Sequence, residues 1–225
     1  MNPATTVTGP DTFGDPAVVG TSLLYAREDH DHGLPAAPIA GPTANGYAAW
    51  TADPAITTTT LGTGSPFAKG TVNYYEFYVP TDCTITDIDV FETAGPTGGT
   101  LANTYLGIYD QAGNQLAISA DVSALFTGTN SVISVPISSV NLAGGTTYVV
   151  AILFGNSSSA SGLPGIAVLG STTIHAASLP NANITPAANT LNLRAGAFGS
   201  GLDALPSPFV GTPVIQTYVL WAGFR

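Results

Sequence analysis

Short apolar runs separated by turn residues make up the chain from Thr71 onward. Thr71 to Val79 (TVNYYEFYV) is rich in aromatic and β-branched residues and stops at Pro80, while Thr104 to Tyr109 and Leu116 to Ser119 flank the turn-forming segment DQAGN. Further strands are predicted over residues 131–137, 147–154, 165–169, 190–197 and 213–224. No segment has the period of an amphipathic helix of normal length. The pattern predicts an all-β fold of about ten strands, a jelly-roll-like β-sandwich.

The segment Cys83 to Phe91 (CTITDIDVF) alternates apolar and polar residues imperfectly. Its apolar phase shifts between Ile85 and Ile88, which predicts a β-bulge within the strand. Cys83 is the single cysteine of the chain, so no intrachain disulfide can form. Its strand-like surroundings predict a small, buried hydrophobic side chain.

The aromatic strand from Thr71 to Val79 carries large side chains on both faces. Alternation places Tyr75 and Phe77 on one face and Tyr74 and Tyr78 on the other. The strand is therefore predicted to be buried on both sides, as packing between copies of the chain would produce. A flat aromatic side chain can also stack on a sugar, and the candidates are Tyr47, Trp50, Tyr74, Tyr75, Phe77, Tyr78, Tyr105, Tyr109, Tyr218 and Trp221.

The first third of the chain lacks this strand pattern. Residues 1–19 are rich in Pro and Gly and show no period, which predicts an extended arm, and Gly33 to Pro54 contains four prolines, which is typical of a linker. We therefore expect an attachment arm over residues 1–45, a linker over 46–70 and the sandwich over 71–225. A chain that begins near Gly62 is expected to keep a cooperative melt.

Composition excludes several kinds of partner. The formal net charge is −10 and the pI is about 4.2, so the chain repels phosphates at long range and nucleic acid is not an expected ligand. No apolar run reaches the roughly 20 residues that cross a bilayer. The first residues, MNPATTVTGPDTFGDP, have neither the basic nor the apolar region of a signal peptide. Only 8% of the residues are charged, so Thr, Ser and Asn are expected to dominate the surface.

A charged motif interrupts the arm at GTSLLYAREDHDHGLP, residues 20–35, in a chain with four basic residues and three histidines. Its candidate attachment residues are Tyr25, Arg27, Glu28, Asp29, His30, Asp31 and His32. The motif resembles a segment that recurs in tail-fibre, minor-tail and head-fibre proteins of tailed bacteriophages. The resemblance implies that this segment attaches the protein to a virus particle.

The later part of the chain carries a second resemblance, over roughly residues 72–225. The segments VPTDCTITDIDVFETAGPTGGT, YLGIYDQAGNQLAISADVSALFTGT and AGGTTYVVAILF resemble a β-sandwich domain common at the C-termini of actinophage minor tail and fibre proteins. The resemblance implies binding or assembly. We expect a virion protein, assembled in the host cytoplasm, that contacts other tail or capsid proteins and presents its sandwich outward, where it could bind a host-surface glycan. The resemblance, the doubly apolar strands and the charge-poor surface together predict a homotrimer. A head fibre or capsid decoration protein is the alternative.

His30 and His32 are the candidate metal ligands. Residues two apart in an extended segment project to the same side, so three copies around a threefold axis would offer six imidazole nitrogens to a first-row transition metal. The alternative is a hydrogen-bonded attachment turn in which Arg27 pairs with a neighbouring carboxylate. We favour the attachment turn, because a single His-x-His lacks the third ligand that a site needs. No other cofactor is expected.

Four acidic residues, Asp82, Asp87, Asp89 and Glu92, form a second candidate cluster. Asp87 and Asp89 share a strand face, where they could bind calcium or act as a glycosidase pair, but a solvated outer face is the favoured interpretation. His175 stands alone and is expected to be structural. Because no nucleophile, phosphate-binding or zinc-protease motif occurs, a glycan-cleaving enzyme is the least favoured hypothesis, and we expect that the chain is not an enzyme.

Overall fold

The computed structural model describes residues 41–51, 67–128, 130–170, 195–209, 213–216 and 218–225. The chain divides into two compact units, Met1–Ala40 and Gly41–Arg225. The first unit, which contains the charged motif and most of the predicted arm, lies outside the described residues, and so does His175. Within the described residues, no helix is long and apolar enough to cross a membrane.

The described residues form thirteen strands, and their only helical segments are two short 3₁₀ turns, Thr43–Asn45 and Ser123–Leu125. The strands are β1 (Ala49–Trp50), β2 (Val72–Val79), β3 (Cys83–Ala94), β4 (Thr104–Tyr109), β5 (Gln115–Ile118), β6 (Ser131–Leu142), β7 (Thr146–Phe154), β8 (Gly165–Ile166), β9 (Val168–Gly170), β10 (Ala195–Phe198), β11 (Val214–Ile215), β12 (Tyr218–Leu220) and β13 (Ala222–Phe224). Two antiparallel sheets pack together, which confirms the predicted all-β sandwich.

One sheet has five strands, in the order β1-β13-β3-β6, with β8 also paired to β3. The register between β3 and β6 shifts between Ile85 and Asp87, which confirms the predicted bulge. The bulge lets both Ile85 and Ile88 be fully buried, although three positions separate them. The amides that it turns outward, on Thr86 and Asp87, donate to the carbonyl of Arg225 at 2.6 and 2.9 Å.

The strand β6 continues past the predicted end at residue 137 and reaches Leu142. It contains Pro136, a residue that often ends a strand. Pro136 lies opposite Asp87, next to the bulge in β3, and β6 is at the edge of its sheet. An edge strand beside a bulge is where a strand tolerates a residue without an amide proton.

The second sheet has six strands, in the order β11-β10-β2-β7-β4-β5. Its centre is the pair β2 and β7, which stays in register from Val72 opposite Leu153 to Val79 opposite Thr146. The predicted hairpin joins β4 to β5, and its turn is closed by a hydrogen bond from the amide of Asp110 to the carbonyl of Asn114. Gly113 supplies the positive φ of +83° that this turn requires.

The predicted strands near the C-terminus are more divided than the sequence pattern indicates. Residues 165–169 contribute to β8, which pairs with β3, and to β9, which pairs with β12 in a separate two-stranded sheet. Residues 213–224 contain β11, β12 and β13, which belong to the six-stranded, two-stranded and five-stranded sheets respectively. The pattern of apolar residues does not reveal these divisions, because each piece is only two or three residues long.

A main core fills the space between the two sheets. Tyr75 and Phe77 of β2 point into it, and the ring of Phe77 stacks on that of Phe224 with 3.8 Å between centroids and 18° between planes. Ile85 and Ile88 of β3 meet them from the opposite sheet. The residues of β2 predicted for one face thus form the centre of the sandwich.

A second core covers the outer face of the six-stranded sheet. Tyr74 of β2 and Tyr109 of β4 lie beneath Phe198, Leu205 and Phe209. The ring of Phe209 stacks on that of Tyr109, with 4.0 Å between centroids. The prediction that β2 is buried on both faces is confirmed for most of its length. The cover comes from residues 198–209 of the same chain, so this burial does not need a second copy.

The predicted linker contains a strand of the sandwich. Ala49 and Trp50 form β1, which pairs with β13, and Ala49 is fully buried. The compact unit therefore begins at Gly41, earlier than the predicted sandwich at residue 71. In the sequence, the prolines around this stretch indicate a linker. A strand of two residues is too short to produce a recognisable alternation of apolar and polar residues.

Candidate functional site

The candidate residues of the charged motif, including the possible metal ligands His30 and His32, lie outside the described residues. The others are Tyr25, Arg27, Glu28, Asp29 and Asp31. Their attachment role and the threefold metal site remain predictions.

The four acidic residues 82, 87, 89 and 92 do not form one site, and the favoured interpretation of a solvated face is wrong for two of them. Asp89 is 1% exposed and Glu92 is fully buried. Glu92 accepts a hydrogen bond from the amide of Gly128 at 2.8 Å, and Asp82 accepts one from Gly144 at 2.7 Å. Among the described residues, no three His, Cys, Asp or Glu side chains are grouped closely enough to hold a metal ion.

Asp89 and Asp87 share a strand face. The carboxylate of Asp89, however, contacts residues from the start and the end of the compact unit. Arg225 lies 2.8 Å from one carboxylate oxygen of Asp89, and the hydroxyl of Tyr47 donates to the same oxygen at 3.0 Å. The guanidinium also lies 5.7 Å from the centre of the Tyr47 ring, in cation–π range. Burial first, and then the bond to Asp89, raises the pKa of Tyr47.

Cys83 and most of the aromatic candidates are structural. Cys83 is half-buried against the main core, and burial, followed by the charge of Asp82, raises the pKa of its thiol. Tyr74, Tyr75 and Tyr109 are buried, and burial raises the pKa of each. Tyr78, at 56% exposed, is the large aromatic that the described part of the chain leaves open to solvent. No cluster of exposed rings for sugar stacking occurs among the described residues.

The best candidate site is one end of the sandwich, built from four loops and a turn. The register puts them together, because Val72, Leu153 and Thr104 lie at the same end of the six-stranded sheet. We call this surface the loop end and define it as residues 68–71, 95–103, 119–128, 155–164 and 199–203. Connecting loops at one end of a β-sandwich are a common place for binding residues.

Two of these loops are joined along their length by hydrogen bonds. The amide of Thr97 donates to the carbonyl of Gly162 at 3.0 Å, and the amide of Thr100 donates to the hydroxyl of Ser159 at 3.0 Å. The side-chain amide of Asn103 donates to the hydroxyl of Ser157 at 2.8 Å. Short polar side chains thus add to the backbone hydrogen bonds between these loops. Leu101 and Leu163 pack against the main core beneath them.

Asp121 attaches a third loop to the same surface. Its carboxylate accepts hydrogen bonds from the amides of Asn103, Thr104 and Ser123 at 3.1, 3.0 and 2.9 Å. Burial acts to raise the pKa of Asp121, but the hydroxyl and amide of Ser123 and the two other amides together bring the pKa below its usual value. The ionised carboxylate is therefore the form that holds this loop.

The fourth loop and the turn are attached by backbone hydrogen bonds and by the carboxylate of Asp203. The amide of Leu202 donates to the carbonyl of Gly70 at 3.0 Å, and Asp203 accepts the amide of Ser157 at 2.7 Å. Gly70 has a φ of +70°, and a Cβ atom there would lie 2.7 Å from the amide nitrogen of Gly201. A glycine is required by both constraints. It fixes the position of its neighbour Lys69.

A groove of about 400 Å³ crosses the loop end beside this turn. Phe67 and Leu163 supply apolar surface, while Lys69, Thr97 and Ser161 supply polar groups. Lys69 is exposed, and its ammonium donates to the carbonyl of Ser158 at 3.1 Å. A groove with an apolar wall and a few fixed polar groups is typical of a small-ligand site.

A second groove, of about 410 Å³, lies at the other end of the strands between β3 and β6. Asp82, Cys83, Thr84 and Asn141 line it, and the one charged side chain among its lining residues is the carboxylate of Asp82. The two grooves differ in the sign of their charge, which makes the second a useful reference for experiments on the first.

No family model, curated protein or solved structure matches the chain. The loop end is thus defined by geometry alone. Sequence reasoning did not select Lys69, Asp121 or Asp203, because each sits alone among small residues and its partners are distant in sequence. The one signal for them is the density of Ser, Thr, Asn and Gly between predicted strands, which indicates loops but no particular ligand.

Proposed function

We propose that this chain is a structural protein of a bacteriophage particle, a fibre or minor tail protein, and that its loop end adheres to a glycan on the host surface. The resemblance of the charged motif and of residues 72–225 to such proteins supports the viral assignment. The all-β sandwich agrees with the fold that the resemblance implies. In this proposal the residues before Gly41 attach to the particle, and the protein binds without turnover.

The observation that carries the adhesive role is the separation of the loop end from the start of the compact unit. The amide of Ala48 donates to the carbonyl of Phe224 at 2.8 Å, and the amide of Arg225 donates to that of Asp87 at 3.1 Å. The first strand thus begins beside the middle of β3, where Phe224 pairs with both Ala49 and Ile88, whereas the loop end lies where β3 finishes at Ala94. Within the described part of the chain, the first residues of the sandwich therefore do not occupy the loop end, which supports its use as a ligand site.

The chemistry of the loop end suits a carbohydrate. Thr97, Thr100, Ser159 and Ser161 are exposed, and hydroxyl and backbone groups both donate and accept hydrogen bonds, as sugar hydroxyls require. The loops are already tied to one another, so little ordering would accompany binding. Affinity for one sugar at such a site is weak, and a multivalent particle would compensate through avidity.

Two measurements test this proposal. Gold-labelled antibody against the protein should decorate the tail of the particle; decoration of the capsid would instead support the head fibre or capsid decoration alternative. Fluorescently labelled protein should bind host cells and be displaced by purified envelope glycan. Absence of cell binding would contradict the adhesive role, and release of reducing sugar from that glycan would contradict the assignment as a non-enzyme.

A threefold assembly belongs to the same proposal. It rests on the resemblance and on the low charge of the chain. Burial of both faces of β2 no longer supports it, because residues 198–209 of the same chain cover the second face. Light scattering at micromolar concentration should give the mass of three chains, and a monomer mass both in solution and on the particle would contradict it. Elemental analysis of purified fibre tests the motif: we expect no stoichiometric metal, so that His30 and His32 act through hydrogen bonds.

A further inference from the structure

We propose that the groove beside Lys69 is a subsite for a negatively charged sugar group, either a carboxylate or a phosphate. This inference rests on the proposed function, because it names the class of glycan that the loop end would take. The chain carries a formal net charge of −10, so an anion approaching most of its surface is repelled. Binding of an anion therefore needs a cationic side chain close to it, within the subsite itself.

The charge of Lys69 is available to a ligand. The basic side chains among the described residues are Lys69 and Arg225, and Arg225 is committed to the buried carboxylate of Asp89. Within the described part of the chain, no carboxylate lies within the 4.0 Å of Lys69 that defines an ion pair. An ammonium has three protons, and Ser158 accepts one of them at 3.1 Å.

Lys69 lies in a turn whose position is fixed by contacts with neighbouring loops and strands. Gly70 packs against the backbone of Gly201 and Leu202, and its amide donates to the carbonyl of Phe154 at 2.7 Å. The bond from the ammonium to Ser158 holds the far end of the side chain over the loop end. A cation held at both ends loses less side-chain entropy when an anion binds.

The rest of the groove fits a sugar ring that carries this anion. Phe67 borders the groove but is 6% exposed and packs on the rings of Phe154 and Tyr218. Leu163, which is only partly buried, supplies the more accessible apolar surface. Thr97 and Ser161 also line the groove, and the hydroxyl of Ser161 donates to the carbonyl of Thr97 at 3.2 Å. The volume of about 400 Å³ accommodates one or two sugar rings. The apolar side of a sugar ring can contact Leu163 while its anionic group reaches Lys69.

The test measures binding of the full chain to three oligosaccharide probes of matched length by biolayer interferometry. One probe is a uronic-acid oligomer, one is a glycerol-phosphate oligomer and one is a neutral glucose oligomer. We expect at least one anionic probe to bind, and Lys69→Gln to weaken that binding by about tenfold to a hundredfold, the worth of a charged hydrogen bond. The two anionic probes tell a carboxylate from a phosphate.

Two control variants make the result specific. Lys69→Arg keeps the charge and should retain most of the affinity. Lys69→Gln combined with Ser139→Lys restores the net charge on an exposed position of β6, near the Cys83 end, and should remain weak. Recovery of affinity in this double variant would overturn the inference, because a long-range field and not the groove would then explain binding. Each variant should melt like the wild type, since Lys69 is exposed.

The outcomes separate this inference from the function on which it rests. If labelled wild-type protein binds host cells but Lys69→Gln binds equally well, or if the neutral probe binds as tightly as the charged ones, the subsite is wrong and the adhesive role stands. If the wild type binds no host cells, the adhesive role fails, even where an anionic probe still binds in a manner that depends on Lys69.

Discussion

Arg225 and Asp89 are 136 positions apart in the chain, and their charged groups are 2.8 Å apart in the structure. Asp89 is 1% exposed, while the side chain of Arg225 is 48% exposed, so the carboxylate depends on this guanidinium and on the hydroxyl of Tyr47. The three residues join the start of the compact unit, the long strand β3 and the C-terminal strand. They fix both ends of the unit to the same sheet.

Breaking this contact should destabilise the fold from either side. Arg225→Gln leaves the buried carboxylate of Asp89 with one donor, the hydroxyl of Tyr47. We expect the free energy of unfolding to fall by about 1–3 kcal/mol. Solvent screens the half-exposed guanidinium, so this range lies below that for a fully buried ion pair. Asp89→Asn removes the same attraction and should have an effect of similar size. Urea denaturation of both single variants and of the double variant forms a thermodynamic cycle. Strictly additive losses would contradict a direct interaction.

The beginning of the compact unit can be tested by truncation. A chain that starts at Gly41 keeps β1 and the bond from Tyr47 to Asp89, and should melt like the full chain. A chain that starts at Gly62 loses both, together with the buried Ala49, and should lose about 2–4 kcal/mol of stability. The structure thus changes the expectation from sequence that a start near Gly62 is harmless. Equal melting temperatures for the two chains would contradict a structural role for β1.

Two tyrosines of the second core form a matched pair for substitution. The hydroxyl of Tyr109 donates to the carbonyl of Pro206 at 3.1 Å and accepts from Gln115 at 2.9 Å, so Tyr109→Phe should destabilise the protein by about 1–2 kcal/mol. The buried hydroxyl of Tyr74 has no hydrogen-bond partner among the described residues. Tyr74→Phe should therefore leave stability unchanged or raise it by up to about 1 kcal/mol.

Chemical denaturation of these two variants also tests whether the second core exists in solution. The opposite ranking, with Tyr74→Phe the more damaging, would contradict the arrangement of residues 198–209 over the sheet. Because the cover is supplied by the same chain, the ranking should not change with protein concentration.

Acid should loosen the loop end. The pKa of Asp121 and that of Asp203 are both lowered, so their ionised forms stabilise the folded state above the unfolded value of 3.8, and this stabilisation is lost as the pH falls through the lower folded values. The melting temperature of the wild type should drop more steeply between about pH 5 and pH 3 than that of Asp121→Asn, which has no such proton to bind. Parallel curves for the two proteins would exclude the role of Asp121.

Much of the sandwich follows from local pattern. Large aromatic residues on both faces of β2 indicate burial on both sides, and the phase shift in CTITDIDVF locates the bulge. Both signals lie within a few neighbouring residues. The hairpin from β4 to β5 is indicated by its turn residues in the same way. Such features need no knowledge of what lies across the sheet.

Features that depend on distant partners were not predictable. Asp89 and Glu92 resemble exposed strand residues in sequence, and their burial involves partners far along the chain, such as Arg225 for Asp89 and Gly128 for Glu92. Lys69 is one lysine in a turn, and its partner Ser158 is 89 positions away. The cover of the second core is a loop without periodicity, so the doubly apolar β2 suggested contact between copies of the chain.

Hydrogen–deuterium exchange of the full chain, with and without purified host envelope glycan, shows whether the loop end is the adhesive surface. Binding should slow amide exchange in residues 68–71, 95–103 and 155–164, and should leave the turn after β6 and the groove beside Cys83 unchanged. Lys69→Gln serves as the matched control and should reduce the slowing near the turn. Protection confined to the Cys83 end of the strands, with the loop end unaffected, would contradict adhesion through the loop end.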